Sequence, residues 1–266
     1  TETLFNLKFV KTEMVCEDSR IDTLCYDEES NSFVIIEYKN SKSASVIDQG
    51  YSYLSIMLNN KSDFVLEYNE NMDKTIKRDK VDWSQSRVFF ISTFFTQYQK
   101  NSVNFKDVPF ELWEIQGFSN ETVGLQKIIS NSKESIKGLE KGRNSIVNKV
   151  SSEIKNYDEE QVITKYNKDN WEVYKLLRDK VLEWGNVVIK VKKGYVSFWK
   201  NRPVIFYVTP RKKGLFVEFL YRVDFSGNVK SLKKGFEFKD PEKTFKFFEN
   251  KYKESFFTRI DNNSDL

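Results

Sequence analysis

The sequence predicts an α/β mixed sheet flanked by helices, followed by a small α+β domain. Three observations carry this prediction. Two short apolar runs, at about residues 20–26 and 33–39, are separated by a polar, turn-like stretch, the pattern of a strand hairpin. A helical stretch from about residue 44 to Leu58 follows, and then Arg87 to Phe95, an aromatic and β-branched run that reads as a buried strand. Further on, strand-like segments fall at about 187–192, 195–199, 204–209, 215–222 and 236–238, punctuated by Gly194, Gly214, Gly227 and Gly235.

Taken in order, residues 4–15 mix apolar and charged residues. Phe64-Val65-Leu66 is apolar but too short to assign by periodicity. Asn69 to Ser86 reads as a polar loop with a short helix, and Phe110 to Phe118 as a further strand. These elements place a first domain over 1–128. Residues 129–165 are dominated by Ser, Lys, Asn and Glu and read as a polar, helical connector. A basic α+β domain spans 166–266. It opens with a helix over Asn170 to Trp184, in which Trp171, Tyr174, Leu177, Val181 and Trp184 keep helical spacing before Gly185. It closes with a second helix over Pro241 to Phe257, on the stripe Phe245, Phe248, Tyr252 and Phe256, with Asp240 as N-cap.

Composition excludes several classes of function. The 266 residues suffice for a sizeable core. No apolar run approaches the roughly 18–20 residues of a membrane span, so no membrane association is expected. The start lacks a basic region followed by an apolar one, so no secretory signal is expected and the expected location is cytoplasmic. Two cysteines, Cys16 and Cys25, suit structural thiols in a reducing compartment. There is no histidine, which removes histidine-based triads, Cys–His pairs and His-ligated metal sites. Hydrolytic chemistry must therefore run on carboxylates, lysines and a metal. Charge is unevenly spread: residues 1–60 hold five basic against ten acidic residues, and residues 187–256 hold seventeen against seven. An acidic half and a basic half suit a phosphate polymer. A Lys-rich surface that is only solvated would look the same.

The sharpest motif is Arg20-Ile21-Asp22-Thr23-Leu24 followed by Val34-Ile35-Ile36-Glu37-Tyr38-Lys39. Side chains alternate along a strand, so Glu37 and Lys39 share one face and Tyr38 takes the other. A hairpin would bring Asp22 to Glu37 with Lys39 beside them. Two carboxylates can hold a hard divalent cation, and a neighbouring ammonium can steady a phosphate oxygen or an attacking water. On the following helix, Gln49 and Tyr53 are four apart and share a face.

Asp, then Glu-x-Lys, then Gln-x-x-x-Tyr resembles the PD-(D/E)xK nuclease superfamily, most closely its RecB-like branch. Ile21 stands where that family's leading proline is usual. Phe9-Val10-x-x-Glu13, the Arg20–Leu24 run and Ile36 to Lys39 are also similar to two-domain bacterial and archaeal proteins often called "predicted transport protein", which carry an uncharacterised C-terminal domain. The sequence itself offers nothing for transport. The resemblance implies a restriction-endonuclease-like mixed sheet and a Mg2+-dependent endonuclease or deoxyribonuclease, with Mn2+ able to substitute, in defence or repair. It implies that Asp22, Glu37 and the backbone carbonyl of Tyr38 hold the metal and that Lys39 positions water or stabilises charge on the phosphate. Gln49 would orient Lys39.

The remaining candidates keep two readings each. Glu13 could hold a second metal or water, or face solvent. Tyr53 could hydrogen-bond within the site or pack as an ordinary aromatic. Arg20 could pair with a carboxylate or contact a phosphate. Trp199, Tyr195 and Phe198, near Lys192, Lys193, Lys200 and Arg202, could stack bases or form core. Arg211-Lys212-Lys213, after Pro210, could contact phosphates or form a charged hairpin tip. The expected partner is nucleic acid, DNA foremost, with a homodimer or larger complex compatible with the chain. The rival expectations are a catalytically silent module that binds nucleic acid or a nucleotide signal, and a partner-dependent subunit of a larger assembly.

Overall fold

A computed structural model describes residues 2–40, 45–119, 122–129, 132, 134–136, 145–200, 204–221, 246–250 and 253–260. It is a mixed α/β structure of two units, Thr1–Asn156 and Tyr157–Leu266.

In the first unit, α1 (Glu2–Phe5) leads into β1 (Lys8–Cys16), β2 (Ser19–Asp27) and β3 (Ser32–Lys39). Two helices follow, α2 (Val46–Asn59) and α3 (Lys61–Asn71), and then β4 (Arg87–Ser92), α4 (Gln97–Ser102), β5 (Phe110–Gly117), β6 (Val123–Ile128) and α5 (Ser145–Glu153). The six strands form one sheet in chain order. β1, β2 and β3 are antiparallel, β3, β4 and β5 are parallel, and β6 returns antiparallel to β5. The sheet is therefore mixed, as the sequence predicts.

Alternation sorts β3 cleanly. Phe33 and Ile35 join the main core with the α2 and α3 residues Leu54, Met57, Phe64 and Tyr68. Val34 and Ile36 lie in a second cluster on the other face, with Cys25, Phe89 and Ile91, against which Phe5 of α1 packs. Extending the first parity by two and four residues puts Glu37 and Lys39 on the α2 side of the sheet. Helix α2 begins at Ser45, whose hydroxyl accepts from the Asp48 N–H at 3.3 Å. The Asp48 carboxylate in the first turn suits the positive end of the helix dipole. The helix lies close against the sheet at Gly50, where an added Cβ would come within 2.5 Å of the Phe110 ring.

The second unit comprises α6 (Glu159–Ile163), α7 (Asn170–Leu182), β7 (Val187–Lys192), β8 (Tyr195–Lys200), β9 (Val204–Pro210), β10 (Leu215–Tyr221), β11 (Lys246–Asn250) and β12 (Lys253–Ile260). Its strands form an antiparallel sheet in the order β11-β12-β10-β9-β8-β7. Val162, Ile163, Val173, Tyr174 and Val181 from the helices pack on Val196, Phe198, Phe206, Val208, Leu215 and Val217.

Two sequence expectations change, and two stretches that the sequence leaves unassigned take definite structure. The expected closing helix over 241–257 is a strand hairpin where residues are described, β11 and β12, paired through β12 to β10. Its phenylalanines fit a helical stripe, but aromatic residues also favour strands, and β10 offers an open edge. Residues 64–66 lie within α3, because Phe64, Val65 and Tyr68 are its buried positions. The expected connector over 129–165 is divided between the units. Val150 and Ile154, at α5 and just after it, are buried in the first core, whereas α6 belongs to the second. The first unit thus runs past residue 128, and the second starts before 166. The run 4–15, which mixes apolar and charged residues, contains most of β1, whose pairing with β2 is irregular between Phe9 and Lys11. The expected strand at 236–238 and the start of the expected helix near residue 44 lie outside the described residues.

Candidate functional site

The antiparallel pairing of β2 and β3 ends at Thr23 and Ile36, one position short of Asp22 and Glu37. Beyond that point the backbone ladder is replaced by a side chain: the Tyr38 N–H donates to Asp22 Oδ2 at 2.9 Å. A backbone amide left without its strand partner is satisfied by a carboxylate. The same local geometry brings the Asp22 carboxylate beside the end of β3. The backbone carbonyl of Asp22 accepts from the Thr12 hydroxyl at 3.1 Å, which ties it to β1.

Glu37 is buried and held by α2. Gln49 Nε2 donates to Glu37 Oε1 at 2.7 Å, and the Tyr53 hydroxyl lies 3.0 Å from Glu37 Oε2. Gln49 Nε2 also lies 2.8 Å from the Tyr53 oxygen. The amide has two N–H groups, so one serves the carboxylate and the other the hydroxyl, leaving the tyrosine proton free to donate. The Tyr53 oxygen is 3.1 Å from the Arg20 carbonyl as well, so β2, β3 and α2 meet at this hydroxyl. Lys39 donates to Gln49 Oε1, and its ammonium sits 3.7 Å from Glu37 Oε1 and 5.7 Å from the centre of the Phe90 ring. Glutamine suits this place because it accepts from the lysine and donates to the carboxylate at once.

Burial and the negative charge of Asp22 push the Glu37 carboxyl above its ordinary range, against the Tyr53 and Gln49 hydrogen bonds and the Lys39 charge. Burial, and then the Glu37 charge, push the Tyr53 hydroxyl up, so at neutral pH it is a donor. A buried carboxyl whose proton affinity is raised by a neighbouring carboxylate marks a place where a cation gains.

The residues Asp22, Glu37, Lys39, Gln49 and Tyr53 thus come together as the sequence predicts. Tyr53 is a hydrogen-bonding member as well as a buried aromatic. Glu13 does not join them in a three-carboxylate cluster: among the described residues no group of three or more Asp, Glu, Cys or His side chains could hold a metal. Its side chain is exposed and pairs with Arg20 at 3.4 Å, the carboxylate-pairing alternative for that arginine. Sequence reasoning missed Ser92, whose Oγ lies 2.9 Å from the Lys39 carbonyl and fastens the end of β3 to β4. A lone polar residue closing an apolar strand was the only signal for it.

The donor set fits a hard divalent cation. Asp22 Oδ2 receives one N–H and Asp22 makes no other side-chain hydrogen bond among the described residues, so its carboxylate keeps acceptor capacity. Mg2+ retains several waters and is commonly held by one or two carboxylates plus substrate phosphate, so a two-carboxylate site is sufficient for it.

In the second unit, Phe198 and Trp199 are interior, as in the core reading, and Tyr195 meets Tyr207 edge-on at 5.3 Å. Lys192 is buried, which separates it from the exposed basic set. Lys193 is exposed after β7, and Arg211, Lys212 and Lys213 are exposed in the turn between β9 and β10. The Arg211 guanidinium lies 5.4 Å from the Phe216 ring, and its backbone N–H donates to the Gly214 carbonyl at 3.0 Å. Gly214 turns the chain with φ +76°, a conformation that glycine adopts without a Cβ clash.

The second unit is similar to a family described as "Domain of unknown function (DUF5655)", which matches residues 159–243. That match begins on the first residue of α6. A Haemophilus influenzae protein, described as uncharacterized, is 40% identical over 199 residues, covering 74% of this chain and 65% of that protein. The chain thus spans less than two thirds of that relative's length. No solved structure matches. Among the described residues, no helix is long and apolar enough to cross a membrane.

Proposed function

We propose that this protein is a metal-dependent nuclease hydrolysing phosphodiester bonds, in DNA by preference, and that it works in the cytoplasm. One observation carries the reading: Glu37 and Lys39 are cross-braced by Gln49 where β2 and β3 part and the Asp22 carboxylate enters. Asp22 and Glu37 are the residues that would hold Mg2+ or Mn2+, with the Tyr38 carbonyl as a further oxygen. The ion would supply Lewis-acid polarisation of a phosphodiester oxygen.

The chain's own groups have distinct tasks in this reading. Gln49 and Tyr53 each fix one oxygen of Glu37, so the carboxylate is oriented before substrate arrives. Gln49 also aims the Lys39 ammonium, which stabilises the negative charge that builds on the phosphoryl group. The restriction-endonuclease-like fold belongs to the same proposal, supported by the mixed sheet and by the order Asp22, Glu37, Lys39, Gln49 along β2, β3 and α2.

The test is incubation of the full chain with plasmid, linear and single-stranded DNA and with RNA, in Mg2+ or Mn2+, beside Glu37→Ala. Cleavage by the wild type that disappears in the variant supports the reading. Equal cleavage by both rejects it. A second reading, a catalytically silent binding module, draws on the engagement of Lys39 by Gln49 and Glu37. It predicts nucleic-acid binding with no cleavage under any of these conditions.

A further inference from the structure

Arg20 and Glu13 stand next to this site without belonging to its carboxylate core. The backbone carbonyl of Arg20 is bound by Tyr53, which also bonds Glu37, so the Arg20 main chain lies two hydrogen bonds from the carboxylate. Its guanidinium points to solvent, with 63% of the side chain exposed, and it meets the equally exposed Glu13. Glu13 adopts φ +50° within β1, a left-handed conformation that costs a non-glycine residue free energy. An exposed ion pair contributes little, too little to hold a guanidinium against a phosphate that can engage it bidentately.

We infer that Arg20 is a substrate-phosphate contact flanking the cleavage centre and that Glu13 is its internal counter-ion, displaced when a nucleic-acid backbone enters. This rests on the nuclease reading and names a residue that binds the polyanion beside the scissile bond. Glu13 then acts through Arg20 and has no direct part in cleavage. It keeps an uncommitted guanidinium from other anions, and it releases the guanidinium to a ligand of higher charge density. The exchange is one ion pair for another, and no bond is made or broken.

The test is fluorescence anisotropy with a short labelled DNA duplex and its single strand, in EDTA, using full-length wild type, Glu13→Gln, Arg20→Ala, Arg20→Lys and the Glu13→Gln/Arg20→Ala double variant. Glu13→Gln is expected to tighten binding about 1.4- to fivefold, the range set by an exposed ion pair. Arg20→Ala is expected to weaken it roughly tenfold, as the loss of a charged hydrogen bond does, and to make the salt dependence shallower by about 0.9. Arg20→Lys should lie between. The double variant should match Arg20→Ala, because Glu13 has nothing left to compete for. Tightening by Glu13→Gln that persists without Arg20 would assign the effect to general charge and overturn the inference. So would unchanged affinity in Arg20→Ala. If the wild type binds here and cleaves DNA in Mg2+ while these variants bind as the wild type does, only this inference falls. If the wild type binds neither probe in EDTA, this inference falls, and the nuclease reading falls with it only if the wild type also cleaves no DNA in Mg2+ or Mn2+.

Discussion

The Tyr53 hydroxyl lies 3.0 Å from Glu37 Oε2, joining the second turn of α2 to the end of β3. The bond ties stability to function, because the same carboxylate is buried, faces the Asp22 charge and is the proposed metal ligand. Removing the hydroxyl in Tyr53→Phe strips Glu37 Oε2 and the Arg20 carbonyl of this donor. The expected loss is about 1–3 kcal/mol of unfolding free energy, since buried acceptors are left unsatisfied. Urea denaturation of the full chain measures it. An unchanged midpoint would mean that water replaces the hydroxyl at no cost.

Glu37 makes stability depend on pH with a definite sign. Its carboxyl is raised in the folded protein, by burial first and by Asp22 second. The folded state therefore binds this proton more tightly than the unfolded chain. The group's contribution is fully favourable below the unfolded value, near 4.5, and is lost as pH rises through the higher folded value. Glu37→Gln should be more stable than wild type at neutral pH, and the difference should shrink toward the acid side. Thermal unfolding of both proteins from acid to neutral pH reads this out. A Glu37→Gln variant less stable than wild type at neutral pH would show that ion pairing with Lys39 outweighs burial.

Gly50 sets how closely α2 approaches β5. A Cβ there would meet three atoms of the Phe110 ring at 2.5–2.9 Å. Gly50→Ala should cost about 1–3 kcal/mol, because an overpacked site resolves by side-chain and backbone shifts. Gln49 is the preceding residue, so activity should fall more than the lost stability explains. Activity measured well below the unfolding temperature separates the two effects. Wild-type activity in a destabilised variant would show that the ring, not the helix, moves.

Much of the first unit was legible because its signals are local. Period-two alternation in Val34–Lys39 and the four-residue interval from Gln49 to Tyr53 place the site residues before any tertiary contact is known. The Asp22–Tyr38 bond was not legible, because it depends on where the β2–β3 ladder stops. Which of the two readings of Glu13 holds was not legible either, because the sequence does not show that this left-handed residue turns toward Arg20. β11 and β12 were hidden because Phe245, Phe248 and Phe256 satisfy a helical stripe, while β10, the strand that pairs with β12, lies some thirty residues upstream. In the second unit the apolar pattern gave the strands, but Lys192 shows that a basic residue in a strand can be interior.

The exposed turn at Arg211, Lys212 and Lys213 gives the basic half of the chain its clearest test. If it grips a phosphate backbone, reversing Lys212 and Lys213 to Glu should weaken binding to all sequences alike. It should also flatten the salt dependence by about 0.9 for each lost contact. Titrations of the full chain at several salt concentrations measure the slope. An unchanged slope would make this turn a solvated hairpin tip.

The central claim is that Asp22 and Glu37 together hold a divalent cation. Calorimetric titration of Mn2+ into the full chain, beside Asp22→Asn, tests it most directly. Asparagine keeps an acceptor for the Tyr38 N–H and removes only the charge, so the strand end should stay in place. Saturable Mn2+ binding is expected for the wild type and should be lost or greatly weakened in Asp22→Asn, with the folded content of both proteins unchanged. Absence of binding to the wild type, or equal binding to both, would contradict it.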